Sequence, residues 1–156
     1  MISGSPFTMI GMPMQNRADK HLRTRTVLGL AAARHIAAAA EAEAERNGWA
    51  VSIAIVDESG RLLHFLRMDG TTNASVDVAI AKAQHAANYQ RDTGFHQRLL
   101  EGGAQVVLAL PSALPLEGGV RLMVDGQVVG GIGVAGAQAA EDGQIGQAGA
   151  DWLSGA

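Results

Sequence analysis

The stretch that decides the fold runs from Pro115 to Gly136 and reads Pro-Leu-Glu-Gly-Gly-Val-Arg-Leu-Met-Val-Asp-Gly-Gln-Val-Val-Gly-Gly-Ile-Gly-Val-Ala-Gly. Two apolar runs flank Asp125-Gly126, and a two-residue Asp-Gly loop between such runs predicts a tight β-hairpin. The second strand of the hairpin carries glycine at positions 130, 131 and 133, where no side chain can pack. Such glycines indicate a close approach to the backbone, and three candidates stay open: a neighbouring helix, another subunit or a flat ligand.

The composition of the 156-residue chain indicates one domain built from small apolar side chains. Hydrophobic residues make up 47% of the chain and aromatic residues only 4%, so the backbones must pack closely. A net charge of -3 argues against a nucleic-acid-binding surface. Because the chain has no cysteine, disulfides, thiolate nucleophiles and zinc–thiolate sites are excluded.

The sequence also bears on location and on domain organisation. No apolar run approaches the roughly 20 residues that a membrane span needs, so no membrane contact is expected. Residues 1–14 lack the basic start and apolar stretch of a secretory signal, and we expect a cytoplasmic protein. We expect residues 1–25 to form an arm, either flexible or in contact with another subunit, and residues 26–156 to form a single domain.

The periodicity and the turn residues predict mixed secondary structure joined mainly by hairpins. Helices are predicted over 30–47, from Asn73 or Ser75 to about Gln90, over 93–100 and over 138–153. Strands are predicted over 51–56 and 61–68, over 105–110 as a strand or extended edge, and in both halves of the hairpin. Because hairpins favour antiparallel pairing, the sequence predicts an α+β fold with an antiparallel sheet of about five strands and helices packed on it.

The spaced motifs of several common sites are missing. The glycines of the hairpin lie on a strand without the Gly-x-Gly-x-x-Gly spacing of a phosphate loop. The sequence has neither a His-x-x-x-His zinc pair nor a Gly-x-Ser-x-Gly nucleophile elbow. A lone histidine can still ligate haem iron, because the macrocycle brings four ligands of its own.

His85 is the most interesting of the five histidines. Lys82 lies one turn before it and Tyr89 one turn after it on the same predicted helix, so the three should share one edge. The alternatives are a solvated helix residue for His85 and an exposed or partly buried loop residue for His96. Lys82 is either a cation for a ligand carboxylate or a stem that lies over neighbouring alanines.

Two further charged residues, Arg67 and Asp142, are likewise candidates either for ligand binding or for a structural role. Arg67, at the end of the second strand, is a candidate partner for a ligand carboxylate, with a salt bridge to an acidic neighbour as the alternative. Asp142 falls near the start of the last helix, where its charge suits the helix dipole and its oxygens can accept from free amides. Its alternative to ligand binding is therefore a structural cap.

The order and spacing of these motifs resemble the GlcG/HbpS-like family, also called the haem-degrading domain family. They are also similar to the C-terminal domain of the PduO-type corrinoid adenosyltransferases. The resemblance covers about residues 27–153. It is carried by the alanine-rich first helix ending in Asn47-Gly48-Trp49, Val51 to Asp57, Arg67-Met68-Asp69-Gly70, Ala81-Lys82-Ala83, Thr93, Pro115 to Gly119, Val124 to Gln127, Gly130 to Gly136 and Asp142.

The resemblance implies a profilin-like three-layer domain, a homo-oligomer such as a hexamer or octamer, and a haem or corrinoid as cofactor. One departure is Ala135, where the family usually has a serine. With the histidines and cations above, the candidates for binding a small-molecule ligand are Lys82, Arg67, His85, Thr93, His96, Gly118, Gly119 and Asp142. His85 is the candidate ligand of a haem iron.

Three functions follow. The first is a haem- or tetrapyrrole-binding protein in which the flat ligand lies near the glycine-rich segment, Lys82 or Arg67 meets its propionates, and His85 or His96 ligates iron. The second is an enzyme that uses Lys82, His85 or Asp142 for proton transfer on a small organic acid. The third is an oligomeric scaffold whose glycine hairpin is the subunit contact.

Overall fold

Four antiparallel strands and four α-helices organise residues 17–156, the part of the chain that the computed structural model describes. The methionine-rich first half of the predicted arm lies outside the described residues. No helix within residues 17–156 is long and apolar enough to cross a membrane. The elements are a 3₁₀-helix at Asp19–His21, α1 (Leu30–Asn47), β1 (Ser52–Asp57), β2 (Leu62–Arg67), α2 (Ala74–Tyr89), α3 (Thr93–Glu101), a second 3₁₀-helix at Gln105–Ala109, β3 (Gly119–Val124), β4 (Gln127–Ala135) and α4 (Ala139–Ser154).

Two hairpins make the sheet, as the sequence predicts. The strand order is β2-β1-β4-β3, and each neighbouring pair is antiparallel. The second hairpin turns through Asp125 and Gly126, both with positive φ (49° and 76°), as a type I′ turn requires. In the first hairpin, Asp57 Oδ1 accepts from the N–H groups of Ser59 and Arg61.

The described sheet has four strands, so the prediction of about five strands is wrong by one. The segment predicted as a strand or extended edge forms the second 3₁₀-helix instead. Its backbone is satisfied locally, because the N–H of Val107 donates to Ala104 and the N–H of Leu110 donates to Val107. A short apolar run cannot by itself distinguish a strand from a helical turn, and Pro111 directly follows it.

The sheet has a different packing layer on each face. Isoleucine and valine side chains such as Ile53, Ile132 and Val134 pack under α1 and α4. On the opposite face Ala54, Val56 and Ala135 pack against the alanines of α2. The domain therefore has three layers, with a thick branched core on one face and a thin alanine core on the other.

The glycines of β4 explain the thin core. A Cβ placed on Gly131 or Gly133 would overlap the backbone of α2, at the carbonyl oxygens of Ala83 and Ala79 respectively. The neighbouring helix is therefore what approaches these two glycines, and it covers them from within the same chain. The glycine-rich strand sets the height at which α2 lies over the sheet.

Candidate functional site

A buried ion pair joins α2 to α4. Lys82 Nζ donates to Asp142 Oδ2 at 3.0 Å and to the carbonyl oxygen of Val134 at 2.9 Å. The Lys82 side chain is only 1% exposed and the Asp142 side chain 4%. The second oxygen of Asp142 accepts from the N–H of Ala137 at 3.0 Å. A charged pair taken out of water needs such partners, because each ion alone costs several kcal/mol.

Burial and attraction act in opposite directions on this pair. Burial lowers the pKa of Lys82 and raises the pKa of Asp142, while the attraction of each for the other partly offsets the shift. Glu117 adds a second negative charge that favours the protonated lysine. Lys82 therefore offers no exposed cation to a ligand, because its ammonium is paired within the protein.

The chain at the start of β3 packs directly against this ion pair. Gly118 has φ 131°, and a Cβ there would lie 2.6 Å from Lys82 Nζ. The next N–H, of Gly119, donates to Thr93 Oγ1 at 2.8 Å, and Thr93 is fully buried at the start of α3. The structure thus brings together five of the predicted site residues, Lys82, Thr93, Gly118, Gly119 and Asp142, as one interior cluster.

Glu117 is a polar residue at this cluster that the sequence-based candidate list omits. Its side chain lies between α3 and α4, since a Cβ on Gly94 or Gly143 would come within 3.4 Å and 2.7 Å of it. Its N–H donates to Gln97 Oε1 at 2.6 Å. The sequence signal for Glu117 is the Pro-Leu-Glu-Gly-Gly segment that contains it. The glycines next to its side chain, Gly94 and Gly143, lie on α3 and α4, so no local pattern connects them with Glu117. A small cavity of about 80 Å³ is lined here by Asp92, Gly94, Arg98, Glu117, Gly118, Gly119, Val120, Gly143 and Gln147.

His85 and His96 form a second cluster, between α2 and α3. His85 Nε2 and His96 Nδ1 lie 2.9 Å apart, and the N–H of Leu114 donates to His85 Nδ1 at 2.9 Å. His85 is 1% exposed and His96 7%. Neither residue is the solvated or exposed histidine that the sequence allowed as an alternative. Both nitrogens of His85 are occupied, so iron ligation would require the ring to release one partner.

The environment disfavours a charge on either ring. Burial, followed by the proximity of His96, lowers the pKa of His85 from 6.5 to about 4. Burial and the charge of Arg91 lower the pKa of His96. Within residues 17–156 no three His, Asp or Glu side chains gather closely enough to hold a metal ion unaided. The pair is therefore neutral at pH 7.

The Phe95 ring lies beside the His96 ring, with centroids 5.1 Å apart, and further apolar side chains are exposed on α3. Phe95 is 39% exposed and Leu99 41% exposed on α3. The Arg91 guanidinium lies 5.2 Å from the centre of the Phe95 ring. The second 3₁₀-helix, which packs against α3, exposes Val106 and Leu108 still more fully. We call Arg91, Phe95, His96 and Leu99 the α3 surface.

Arg67 lies apart from both clusters. It ends β2, the edge strand farthest from β3. Its guanidinium donates to the carbonyl oxygen of Thr71 at 3.1 Å and to Asn73 Oδ1 at 2.8 Å. Among the described residues it forms no ion pair, so the salt bridge that the sequence offered as the alternative to ligand binding is not observed.

A wider groove of about 700 Å³ lies between the described end of the arm and the second hairpin. Arg23 and Arg25 line it, and Arg25 already pairs with Glu58 at 2.7 Å. Most of the described residues that line the groove are polar or glycine, and none of them is a histidine. They are Arg23, Thr24, Arg25, Thr26, Glu58, Ala87, Gln90, Gly126, Gln127 and Val128.

Sequence comparison identifies relatives of this chain. The model of the family described as "Haem degrading protein HbpS-like" matches residues 28–151. Protein GlcG of Escherichia coli strain K12 is 36% identical over 114 residues, which are 73% of this chain and 85% of GlcG. An uncharacterised 15.0 kDa protein of Citrobacter freundii is 30% identical over 129 residues, covering 80% of this chain and 91% of that protein.

Solved structures agree with this result. A double mutant of Streptomyces reticuli HbpS superposes with a TM-score of 0.79 at 38% identity, covering 92% of this chain and 97% of the other. The ORFY protein of Klebsiella pneumoniae gives the same TM-score at 26% identity, covering 92% and 99%. The structure of a PduOC:heme complex gives 0.71 at 25% identity, covering 80% and 94%.

Proposed function

Since the chain belongs to the HbpS-like family, we propose that it binds haem or a related tetrapyrrole such as a corrinoid. Two findings support this proposal. The matching family model is described as haem-degrading, and one similar structure is a complex with heme. The ligand itself is assigned from the surface chemistry of this chain.

The observation that carries the proposal is the composition of the α3 surface. A tetrapyrrole has a flat apolar face and negatively charged carboxylates. Phe95 and Leu99 supply exposed apolar area, Arg91 supplies a cation, and His96 supplies an imidazole. Haem brings a redox-active iron that accepts one or two axial ligands from protein.

Three other places that the sequence or the structure offers fit a tetrapyrrole less well. Pockets for ligands of that size measure about 300–1,000 Å³, whereas the cavity beside Glu117 measures about 80 Å³. The 700 Å³ groove is large enough, but its lining is mostly polar. The glycines at 131 and 133 are covered by α2 and offer no face to a ligand. We propose the α3 surface as the binding site because it combines exposed apolar area, a cation and an imidazole.

Titration with hemin, followed by absorbance in the Soret region, tests the proposal. We expect a saturable Soret shift, weakened at least about tenfold by Phe95→Asp, because a charge replaces apolar contact area. Leu62→Asp is the matched control, since it places the same charge at an exposed apolar residue of β2, the edge strand farthest from β3. Absence of any Soret shift in the wild type contradicts the proposed function.

The same titration tests the iron ligand predicted from the sequence. If His85 ligates iron, His85→Ala changes the Soret and visible bands of the complex. Ligation requires His85 to give up either Leu114 or His96, so apoprotein and complex would then differ around the loop that carries Leu114. Identical spectra for wild type and His85→Ala would remove His85 as the ligand.

We further propose that the protein is a cytoplasmic homo-oligomer. The supporting observation is the second 3₁₀-helix, where Val106 is 77% exposed and Leu108 68% exposed. Contiguous exposed apolar side chains mark interaction surfaces in soluble proteins. A hexamer or octamer is the assembly that the family resemblance implies.

Proton transfer on a small organic acid is the second candidate function. The observation that favours it is the 80 Å³ cavity, which Glu117 and Arg98 both line next to Gly118, the residue that lies against the buried Lys82–Asp142 pair. Two or three water molecules in the liquid take up about 80 Å³, so only a small acid fits in this cavity. Glu117 would accept the proton while Arg98 binds the carboxylate.

A solvent-exchange experiment separates this function from the first. Two- to four-carbon carboxylic acids are incubated with the protein in D₂O, and deuterium uptake at the α-carbon is followed by NMR. Uptake that Glu117→Gln abolishes and Glu41→Gln leaves unchanged supports the enzyme. No exchange with any acid contradicts it.

A further inference from the structure

The hydrogen bonds around His85 decide where each imidazole proton lies. A backbone N–H can only donate, so the bond from Leu114 makes Nδ1 of His85 an acceptor. Neutral His85 then carries its proton on Nε2 and donates it to His96 Nδ1 at 2.9 Å. His96 Nδ1 is consequently an acceptor too, and neutral His96 carries its own proton on Nε2.

That last proton faces outward. Every buried side-chain nitrogen or oxygen among residues 17–156 has a hydrogen-bond partner. His96 Nε2 has none within those residues, so the atom reaches solvent although the residue is only 7% exposed. Arg91 forms no ion pair within the described part of the chain. Its guanidinium lies 5.2 Å from the centre of the Phe95 ring, which in turn lies 5.1 Å from the centre of the His96 ring.

We propose that His96 Nε2–H and Arg91 together form a carboxylate-binding site, in which His96 is a hydrogen-bond donor and not a ligand of iron. Phe95 and Leu99 would contact the apolar part of the molecule that bears the carboxylate. This inference deepens the proposed function. Its extension to tetrapyrroles rests on that function. An iron ligand needs a lone pair on the outward nitrogen, and the chain from Leu114 through His85 places a proton there instead.

The tautomers can be measured on the apoprotein. Long-range ¹H–¹⁵N correlation of the imidazole rings distinguishes a proton on Nε2 from one on Nδ1. We expect Nε2–H for both His85 and His96 at pH 7.5. A proton on His96 Nδ1 would overturn the proposal, because the outward nitrogen would then be an acceptor.

Binding of the carboxylate is tested with butyrate, which carries a short apolar chain. We expect saturable shifts of the His96 Nε2–H and Arg91 side-chain signals on addition of butyrate, and none on addition of uncharged butyramide. His96→Ala should abolish the Arg91 shift, and His96→Gln, which keeps an N–H donor, should retain part of it. Equal responses to butyrate and butyramide would refute carboxylate recognition.

Porphyrins without iron connect this site to the proposed function. Metal-free protoporphyrin IX should lose about tenfold or more in affinity on His96→Ala, whereas its dimethyl ester should lose little. If His96→Ala weakens hemin binding but leaves metal-free protoporphyrin unaffected, His96 acts on iron and the proposal falls. If butyrate shifts His96 but no porphyrin binds, the proposed function fails and the carboxylate site stands.

Discussion

Lys82 has one of the largest fully buried side chains in the described part of the chain, and its ammonium is held by groups from two other elements. The sequence leaves two roles open for Lys82: a stem that lies over neighbouring alanines, or a cation for a ligand carboxylate. The structure shows a third role, in which the cation ties α2 to α4 and to the end of β4. The sequence contained both partners, but 60 residues separate them.

Removing one partner of this pair should destabilise the fold strongly. Lys82→Met leaves the Asp142 carboxylate buried without its cation, and we expect a loss of about 3–5 kcal/mol in the free energy of unfolding. Lys82→Met combined with Asp142→Asn should lose clearly less than the sum of the two single changes. Urea denaturation of the four proteins measures this double-mutant cycle.

The exposed pair between Arg46 and Glu43 is the matched control. Arg46 is 66% exposed, so Arg46→Ala should change the free energy of unfolding by less than about 1 kcal/mol. A Lys82→Met variant as stable as Arg46→Ala would show that the buried pair contributes little.

The His85 ring predicts how stability depends on pH. Its pKa is about 4 in the folded protein and 6.5 when unfolded, so the unfolded chain binds more protons between those values. The contribution of His85 is therefore fully present above pH 6.5 and is lost as the pH falls toward 4. Between pH 7.5 and pH 5 we expect the wild type to lose about 2 kcal/mol through this residue.

The measurement compares wild type with His85→Gln by urea denaturation at the two pH values. The difference in free energy of unfolding between the two proteins should shrink by about 2 kcal/mol at pH 5, because glutamine does not titrate. A difference that is independent of pH would mean that His85 is not held neutral in the fold.

Strand β4 and helix α2 are positioned by each other. Gly133 has no side chain, and the backbone of α2 occupies the space where one would be. The same contact explains why the core on this face consists of alanines. Of the three candidates that the sequence leaves open, a neighbouring helix is the one that approaches Gly131 and Gly133.

Gly133→Ala should therefore separate α2 from the sheet. The new Cβ would overlap the backbone at Ala79 and Ala83, which no side-chain rotation relieves, so we expect at least about 2 kcal/mol of destabilisation. Gly29→Ser serves as control, since a Cβ on Gly29 meets nothing within 4 Å and serine is a good helix N-cap. The shift in urea midpoint for each variant checks this, and equal midpoints would contradict the packing argument.

Most elements could be predicted from local patterns. The helix α1 ends at Asn47 because Gly48 adopts the left-handed conformation, and the Asp-Gly turn sets the second hairpin. The second 3₁₀-helix was mispredicted because six mostly apolar residues carry no decisive period. Its environment, with Val107 buried and its neighbours exposed, depends on packing against α3.

At the scale of the whole molecule, the exposed apolar 3₁₀-helix at Gln105–Ala109 is the candidate contact of the proposed homo-oligomer. Val106→Asp and Leu108→Asp place charges on the exposed apolar 3₁₀-helix. If this helix is the subunit contact, both variants should have a lower mass than the wild type in light scattering after size exclusion, with unchanged circular dichroism. Leu62→Asp, at an exposed position of β2, is the control.

A wild-type mass equal to one subunit would contradict the proposed homo-oligomer. A wild-type oligomer that both aspartate variants leave intact would instead place the contact elsewhere on the surface. Hemin titration of the variants then shows whether the α3 surface of one subunit binds hemin alone or requires a second subunit.

The α+β class, the hairpins, the helix ends and the family follow from the order of residues along the chain, since turn chemistry and hydrophobic period act over a few residues. Folding decided which side chains meet. It buried Lys82 against Asp142, linked His85 to His96 and Leu114, and covered Gly131 and Gly133 with α2. The reason is physical: burying a polar group is tolerable only when a partner from a distant element satisfies it, and such partnerships leave no local pattern.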